Sequence, residues 1–365
     1  MRCGIVGGGL AGFVAYVTLR HGGIDPSDIV VFGTDADPVA AWRPRAEAIR
    51  QQRMRSESDG HCYPHSFPGL APREALRTGS PAPLVRTVCN RYRPTVVEFL
   101  RHVEVLRARS GWDESFRSRR VTCIRAVDRG FDVDGEIIVQ HLLVAPGHPG
   151  LAVPEELVDD ARAVHAYESH DYADRVAVVG AGMAAATEWV NALAAGAEVV
   201  SVRRREPVRR PLNLPRPLFS KRGLSAFHRT APIERAALLS RLGEPSYPPG
   251  REWDEPIQRA TREGRFRVAA SLDGEAQVIC ATGFRRGFEQ DVLLRRLVDE
   301  HDLETEGRWI ALAPDATIDA LSDETRTLSL SGAPASWAYP AADTLVGMKY
   351  VARRFLRRVK ACRTR

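Results

Sequence analysis

The sequence predicts an α/β fold made of two βαβ units, with the second unit inserted into the first. Three observations support this prediction. An apolar strand, a glycine-rich loop and an apolar helix follow one another at residues 3–19, and the same order recurs at residues 175–196. Two more apolar strands end in glycine turns, at residues 142–147 and 276–283, where the chain would cross between the units. We therefore expect two Rossmann-like dinucleotide-binding domains.

The composition is that of a globular protein and excludes an intrinsically disordered chain. Of the 365 residues, 44% are hydrophobic and 27% are charged, a balance that allows two ordinary domains with a sizeable core. The formal net charge of +6 suits anionic ligands such as phosphates. No segment has the length and apolar character of a membrane span, so none is expected.

The first glycine-rich loop has the spacing of a phosphate-binding turn. Gly7, Gly9 and Gly12 form G-x-G-x-x-G between a strand and a helix. The first glycine allows the tight turn, the second admits a pyrophosphate to the backbone, and the third allows close helix packing. An acidic residue is expected at the end of the next strand, but Gly33 stands there. Asp35 is the nearest carboxylate that could bind a ribose, with Asp37 as an alternative.

The second loop has G-x-G-x-x-A spacing and is followed by arginines. Gly180, Gly182 and Ala185 again open a helix, and the next strand runs into Arg203 and Arg204. Guanidinium groups at this position favour the 2′-phosphate of NADP, because each can bind two phosphate oxygens at once. A solvated basic turn is the alternative interpretation of the run.

The cysteines and histidines predict neither a disulfide framework nor a metal site. The six cysteines include no CxxC pair, which indicates a reducing compartment and hence a cytoplasmic location. Asp59, His61 and His65 lie close together without metal-ligand spacing, so no metal is predicted. His61 is a weak candidate for a catalytic acid or base; a loop histidine without a catalytic part is the alternative.

Taken together, the motifs resemble the class B flavoprotein monooxygenases, which include flavin-containing monooxygenases, Baeyer–Villiger monooxygenases and amine N-hydroxylases. The resemblance covers most of the chain and rests, besides the two loops, on four segments: Ala40-Ala41-Trp42, Ala145-Pro146-Gly147, Val164-His165-Ala166-Tyr167 and Ala281-Thr282-Gly283-Phe284. Gly33 and Pro146 depart from the family pattern, and the start of the Baeyer–Villiger fingerprint is missing before His165. These departures leave the subclass open.

The resemblance implies FAD at the first loop, NADPH at the second, and a set of further contacts. It places Trp42, Ala145 and Gly147 on the flavin side, the backbone of Val121 at the adenine, and Thr282 and Gly283 at the crossing between the domains. The loop before the last helix would face the flavin ring, which makes Trp337, Pro340 and Asp343 candidates, Asp343 also as a weak catalytic candidate. The segment from Met54 to Glu57 would lie along the flavin.

Three other segments have local signals of their own. Residues 120–124 are expected to form a strand, and Asp134-Gly135 is expected to turn a hairpin. Residues 206–255, rich in Pro and Arg, predict an ordered loop over the second nucleotide, and no nucleic-acid motif occurs in them. Apolar residues of 348–359 recur at helical spacing with arginines between them, which favours a final helix docked on the first domain over a membrane-surface helix.

The expected organisation is an FAD-binding domain of residues 1–155 and 285–365, interrupted by an NADPH-binding domain of residues 156–284. The expected activity is an NADPH-dependent monooxygenase that acts on a small molecule through a C4a-peroxyflavin. The alternatives are a flavoprotein reductase or oxidase without oxygen insertion, and a non-catalytic relative that binds dinucleotides. Substrate identity and oligomeric state are not encoded in any motif.

Overall fold

The first βαβ unit belongs to a five-stranded parallel sheet. The computed structural model of the chain describes residues 2–56, 58, 69–89, 91–210, 214–274 and 276–362. In the first sheet the strands lie side by side in the order β17 (Thr327–Leu330), β7 (His141–Val144), β1 (Cys3–Val6), β2 (Ile29–Gly33) and β3 (Phe116–Ser118). Nearly all residues of the four strands other than β3 are buried, as expected where elements cover both faces of a parallel sheet.

A second parallel sheet is formed entirely by residues between β7 and β17. Its order is β13 (Phe266–Ala269), β10 (Glu198–Val202), β9 (Arg175–Val179), β14 (Gln277–Cys280) and β8 (Ala163–His165). The chain thus leaves the first sheet after β7, builds the second sheet, and returns to pair β17 with β7. The predicted α/β class with an inserted second unit is confirmed.

Helix α1 (Leu10–His21) fills the space between the first sheet and the C-terminal helix α12 (Leu345–Ala361). Its apolar residues are buried on every side, which explains why the sequence shows no polar face. The buried face of α12 includes Val351, Phe355 and Val359, so the predicted docking on the first domain is confirmed. The other helices of this unit are α2 (Arg43–Ala48), α3 (Leu70–Thr78), α4 (Ala82–Val88), α5 (Val96–Ser110), α6 (Trp112–Ser115) and α11 (Val292–His301).

A small antiparallel sheet of β4 (Ile124–Val127), β5 (Gly130–Val133) and β6 (Ile137–Val139) borders the first unit. The predicted hairpin turn is confirmed, because Asp134 and Gly135 both have positive φ, at 54° and 75°. The strand predicted at residues 120–124 is wrong, since β4 begins only at Ile124. The Asp134 carboxylate accepts the backbone N–H groups of Thr122 and Cys123 and thereby replaces strand pairing.

The Pro- and Arg-rich segment is not the predicted loop. It contains the short paired strands β11 (Val208–Arg209) and β12 (Ser246–Tyr247), and the helices α8 (Lys221–Arg229), α9 (Pro232–Leu242) and α10 (Arg251–Arg262). Leu224, Phe227 and Leu239 join the hydrophobic core of the first unit. His228 Nε2 donates to the Ala338 carbonyl at 2.7 Å. Helices α8 and α9 therefore reach back from the inserted segment and fasten it to the first unit.

Two links connect the units and are hydrogen-bonded to each other. Ala152 N–H donates to the Gly283 carbonyl at 2.9 Å, and Arg285 N–H donates to the Gly150 carbonyl at 3.0 Å. Thr282 Oγ1 also donates to the Ala152 carbonyl. The outgoing and returning chains therefore form a short antiparallel ribbon rather than two independent linkers. The remaining elements are α7 (Met183–Ala194), β15 (Thr305–Glu306) and β16 (Trp309–Ile310).

Candidate functional site: two dinucleotide cavities with a shared wall

The backbone of the first loop is closely packed around two of its three motif glycines. Gly7 has φ of +117°, and a Cβ there would lie 2.0 Å from the Ala145 carbonyl oxygen. A Cβ on Gly12 would lie 2.0 Å from the carbonyl oxygen of Gly7. Gly9, by contrast, has no protein atom within 4 Å of the Cβ position. Space is therefore left only at the glycine that was predicted to admit a pyrophosphate.

The second loop repeats this geometry. Gly180 has φ of +133°, and a Cβ there would lie 2.6 Å from the Ala281 carbonyl oxygen. The Cβ position of Gly182 is open apart from ordinary contacts near 3.9 Å with Pro245. Ala185 is fully buried where helix α7 packs on its strand. The first glycine of each loop thus faces the carbonyl of an alanine that begins a glycine turn, Ala145 before Gly147 and Ala281 before Gly283.

A cavity of about 1010 Å³ opens over the first loop. Its walls include Trp42, which lies at the start of α2, and Val121, in the segment that Asp134 holds in place. Ala145, Gly147, Met54 and Arg55 also line it. The N-terminus of α1 points into it with no capping side chain, so free N–H groups and the positive end of the helix dipole face the cavity.

The end of this cavity where a ribose carboxylate was expected contains no acidic side chain among the described residues. Gly33 lies against the loop, and a Cβ there would be 2.8 Å from the Gly8 nitrogen. Asp35 does not line the cavity, because its carboxylate accepts the Asp37 N–H in a local turn. Thr34, Arg119 and Arg120 line this end instead. The structure therefore explains Gly33 sterically: any side chain would displace the phosphate loop.

A second cavity of about 580 Å³ opens over the second loop. Gly180, Gly182, Thr282 and Gly283 line it. Leu239 and Leu242 of α9 also contribute to its wall, together with Trp309 and Pro340 from the first unit. The cavity therefore lies between the inserted segment and the first unit, and α9 closes one side of it.

The two predicted arginines lie beyond the described wall of this cavity. Arg203 follows β10, pairs with Glu206 at 2.9 Å and lies over the Trp189 ring at 5.5 Å. Its side chain is only 12% exposed. Arg204 is 89% exposed and pairs weakly with Glu156 at 3.8 Å. Of the two, Arg203 is held in a fixed position beside the helix that the second loop opens.

The two cavities share one wall, and three aromatic rings are stacked there. The ring centroids of His148 and Phe284 lie 4.2 Å apart, and those of Phe284 and Tyr167 lie 5.0 Å apart, both pairs nearly parallel. Asp343 lines both cavities, whereas Trp337 is buried in the core. Burial lowers the pKa of His148, and Asp343 opposes that shift. The shared wall brings the two cavities into contact.

Sequence reasoning identified the loops but missed part of the shared wall. His148 and Phe284 each follow the last glycine of one of the two equivalent turns, Gly147 and Gly283. That equivalence is the signal that could have found them. The predicted residue His61 lies outside the described residues, as do Glu57, Asp59 and His65.

Two dinucleotide-binding units, one inserted into the other and meeting at a common wall, define the structural class of this protein. The chain belongs to the pyridine nucleotide-disulphide oxidoreductase family, whose model matches residues 1–215. No curated protein matches the sequence significantly. In the described part of the chain, no helix is both long and apolar enough to span a membrane.

Solved structures show the same fold over nearly the whole chain. The ornithine hydroxylase of Pseudomonas aeruginosa is 16% identical, with a TM-score of 0.69 over 98% of this chain and 99% of that one. The ornithine N-hydroxylase of Kutzneria sp. 744, solved with reduced FAD, NADP⁺ and L-ornithine, is 15% identical, with a TM-score of 0.73 and 98% of each chain covered. The bacillithiol disulfide reductase of Bacillus cereus is 14% identical, with a TM-score of 0.57 over 98% of this chain and 99% of that one. At such identities the likeness establishes the fold alone, which agrees with the fold that the resemblance predicted.

Proposed function

We propose that this protein is an FAD- and NADPH-dependent monooxygenase that acts on a small molecule. The observation that carries this proposal is the shared wall between the two cavities. A dinucleotide anchored by its pyrophosphate at each loop would extend its reactive ring towards that wall. Electrons could then pass directly from one nucleotide to the other. Monooxygenases with the same fold are known among the similar structures.

FAD suits the first cavity in size and in charge. Its volume of about 1010 Å³ lies at the upper limit of the roughly 300–1,000 Å³ that small-molecule and cofactor sites occupy. Gly9 leaves room for the pyrophosphate, and the free N–H groups at the start of α1 would bind it. When bound, reduced flavin supplies the electrons that activate dioxygen. The chain itself binds and orients the cofactor and encloses its reactive end.

NADPH suits the second cavity if Arg203 takes the 2′-phosphate. The guanidinium would exchange Glu206, which is 79% exposed, for the phosphate. Arg203→Glu should raise the KM for NADPH by about 10–100-fold relative to NADH, because a hydrogen bond to a charged group contributes about 1.5–3 kcal/mol. Steady-state kinetics with both nucleotides measures the ratio. Glu206→Gln is the matched control and should not weaken NADPH binding; equal losses for both nucleotides in Arg203→Glu would refute the 2′-phosphate assignment.

The cysteines argue against disulfide reduction, although the family name includes it. The chain has no CxxC pair. Burial raises the pKa of Cys3 to about 12 and that of Cys280 to about 11, so these thiols would not ionise to the nucleophilic thiolate near neutral pH. Oxygen chemistry, which needs no protein nucleophile, fits the site better.

The boundaries proposed for the two domains follow from this assignment. Residues 1–155 and 285–365 would form the FAD-binding domain and residues 156–284 the NADPH-binding domain. The ribbon formed by the two links lies at both junctions. Within the inserted range, however, α8 and α9 contribute to the core of the first unit.

The first experiment is the visible absorption spectrum of the purified protein after saturation with FAD and gel filtration. A retained flavin spectrum is expected; a colourless protein that rejects FAD would overturn the proposal. Consumption of NADPH and oxygen is then measured with a panel of amines, sulfides and ketones. Hydrogen peroxide formed at the rate of NADPH loss with every compound would indicate an oxidase. Absence of NADPH consumption with any oxygen acceptor would indicate a non-catalytic relative.

A further inference from the structure

Two arginines at the shared end of the first cavity have no carboxylate partner in the part of the chain that the structure describes. Arg45 and Arg55 line this cavity, and neither forms an ion pair there. By contrast, Arg43, two residues before Arg45, pairs with Asp37 at 3.2 Å. Burial lowers the pKa of both Arg45 and Arg55, which indicates that water solvates their charges poorly.

Both guanidinium groups are held in place, Arg45 by a ring of the aromatic wall and Arg55 by contacts with the inserted unit. The Arg45 guanidinium carbon lies 4.9 Å from the centre of the Phe284 ring. Arg55 Nη2 donates to Thr187 Oγ1 on α7 at 2.7 Å, and its guanidinium lies 5.7 Å from the centre of the Trp253 ring. Both arginines act electrostatically on the Tyr167 phenol. Both positive charges therefore act on the Tyr167 phenol, which belongs to the wall that the two cavities share.

The carboxylates near Arg55 do not neutralise it. Glu188 and Glu252 affect Arg55 only from beyond ion-pair distance. One oxygen of Glu188 already accepts hydrogen bonds from Tyr172 at 2.8 Å and His170 at 3.1 Å. Poorly solvated charges without partners are costly. The presence of two such charges in the cavity therefore indicates a ligand that carries negative charge at this end.

We propose that Arg45 and Arg55 form a binding site for the negative charge that the flavin ring takes up on reduction. This inference rests on the proposed function. Hydride transfer would move two electrons and one proton from NADPH to FAD, giving NADP⁺ and a reduced flavin with one additional negative charge. With the pyrophosphate held at Gly9, the flavin ring can meet the nicotinamide only at the shared wall. Arg45 lies over the Phe284 ring of that wall and Arg55 acts electrostatically on Tyr167 of the same wall, while Arg119 and Arg120 line the end beside Thr34.

The test is the reduction potential of bound FAD, measured by equilibration with a redox dye in the absence of NADP⁺. Arg45→Met and Arg55→Met keep much of the side-chain volume and remove the charge. Each should lower the equilibrium constant for two-electron reduction at least tenfold, a shift of about 30 mV to more negative potential. Arg45→Lys and Arg55→Lys should restore most of it. Arg43→Met removes an arginine that lies two residues from Arg45 but does not line the cavity, and it should change the constant less than threefold.

The outcomes separate this inference from the proposed function. Failure of the unaltered protein to bind FAD refutes the function itself. Variants that bind FAD with an unchanged potential refute the inference and leave the function standing. An unchanged potential together with weaker NADP⁺ binding would assign the arginines to a phosphate of the second nucleotide. Because Arg45 is only partly buried, its Met variant keeps the test decisive if Arg55→Met does not fold.

Discussion

Gly9 and Gly182 differ from the other glycines of their loops, because no backbone crowds the position of their missing Cβ. Gly7, Gly12 and Gly180 are required by the fold, since a Cβ at each would lie within 2.6 Å of a carbonyl oxygen. A side chain at Gly9 or Gly182 would instead occupy space that the structure leaves for a ligand. Individual glycines thus divide into those that shape the loop and those that leave room for its ligand.

Gly9→Val should abolish FAD binding and leave the protein folded. Gly182→Val should abolish NADP⁺ binding and leave the flavin in place, so each variant is the control for the other. Absorption after gel filtration measures FAD, calorimetric titration measures NADP⁺, and circular dichroism reports the fold. Retention of FAD by a folded Gly9→Val protein would show that the pyrophosphate does not lie at this loop.

His141 should make the folded protein less stable in acid. It lies in β7 at 0% exposure, neither ring nitrogen has a hydrogen-bond partner among the residues that the structure describes, and burial lowers its pKa to about 4 from the usual 6.5. Between these values the unfolded chain binds the proton and the folded protein does not. Stability is therefore lost as pH falls through 6.5 towards 4, by about 2 kcal/mol between pH 7.5 and 5.

Urea denaturation of the unaltered protein and of His141→Leu at both pH values measures this contribution. The variant should lose about 2 kcal/mol less than the unaltered protein over the same pH change. The other histidines are present in both proteins, so the difference isolates His141. The same pH dependence in the two proteins would mean that the buried imidazole accepts a proton in the folded state.

A site residue can be predicted from the sequence when the atoms that require it lie close to it along the chain. The loop glycines were predictable, because the turn and the following helix that require them are adjacent in sequence. The role of Gly33 was not, since the atoms that exclude a side chain there belong to Gly8, on another strand–loop connection. The cluster of Arg45, Arg55, Tyr167 and Phe284 could not be predicted either, because more than 200 residues of chain separate its ends.

Helices α8 and α9 show the same limit for whole elements. They lie in a segment that is rich in Pro and Arg, and their apolar positions alone do not reveal which unit they face. The partners are distant: His228 bonds to Ala338, and the Arg235 guanidinium lies 4.8 Å from the centre of the Trp337 ring. Strands β1, β2, β7, β9, β10 and β14 and helix α12, in contrast, were predictable from continuous apolar runs or helical spacing, since each buries a face that is visible in its own sequence.

Phe227→Ala should destabilise the first unit although the residue lies in the inserted segment. Phe227 is 2% exposed, and removing a buried aromatic side chain costs about 3–5 kcal/mol. Chemical denaturation followed by flavin release measures the effect on the first unit. Ile233→Ala on α9, where the side chain is 71% exposed, is the control and should stay within about 0.5 kcal/mol. Unaltered flavin release in Phe227→Ala would mean that the two units are energetically independent.

At the scale of the whole molecule, several separate contacts join the two units. The outgoing and returning links form one hydrogen-bonded ribbon, and α8 and α9 add a separate contact. The wall of stacked rings is built by residues of both links and of the segment after β8. Free rotation of one unit against the other would break all of these contacts, so we expect the units to unfold together.

NADP⁺ should therefore stabilise the first unit as well as the second. At 100 times its dissociation constant, a ligand that binds only the folded state contributes about 2.7 kcal/mol. Denaturation midpoints followed by flavin fluorescence and by far-ultraviolet circular dichroism should shift equally. Gly182→Val should show no shift. A change in the circular dichroism midpoint without one in flavin fluorescence would contradict cooperative unfolding.

The position of α8 and α9 also determines how this protein could be recombined. A designer who wished to exchange its nucleotide preference would cut the chain at the ribbon and graft a foreign unit between the ends. Such a graft would remove Leu224, Phe227 and Leu239 from the host and expose to water the part of its hydrophobic core that these side chains cover. A functional chimera must therefore keep residues 214–242 of the host, although they lie within the range of sequence that the graft would otherwise replace.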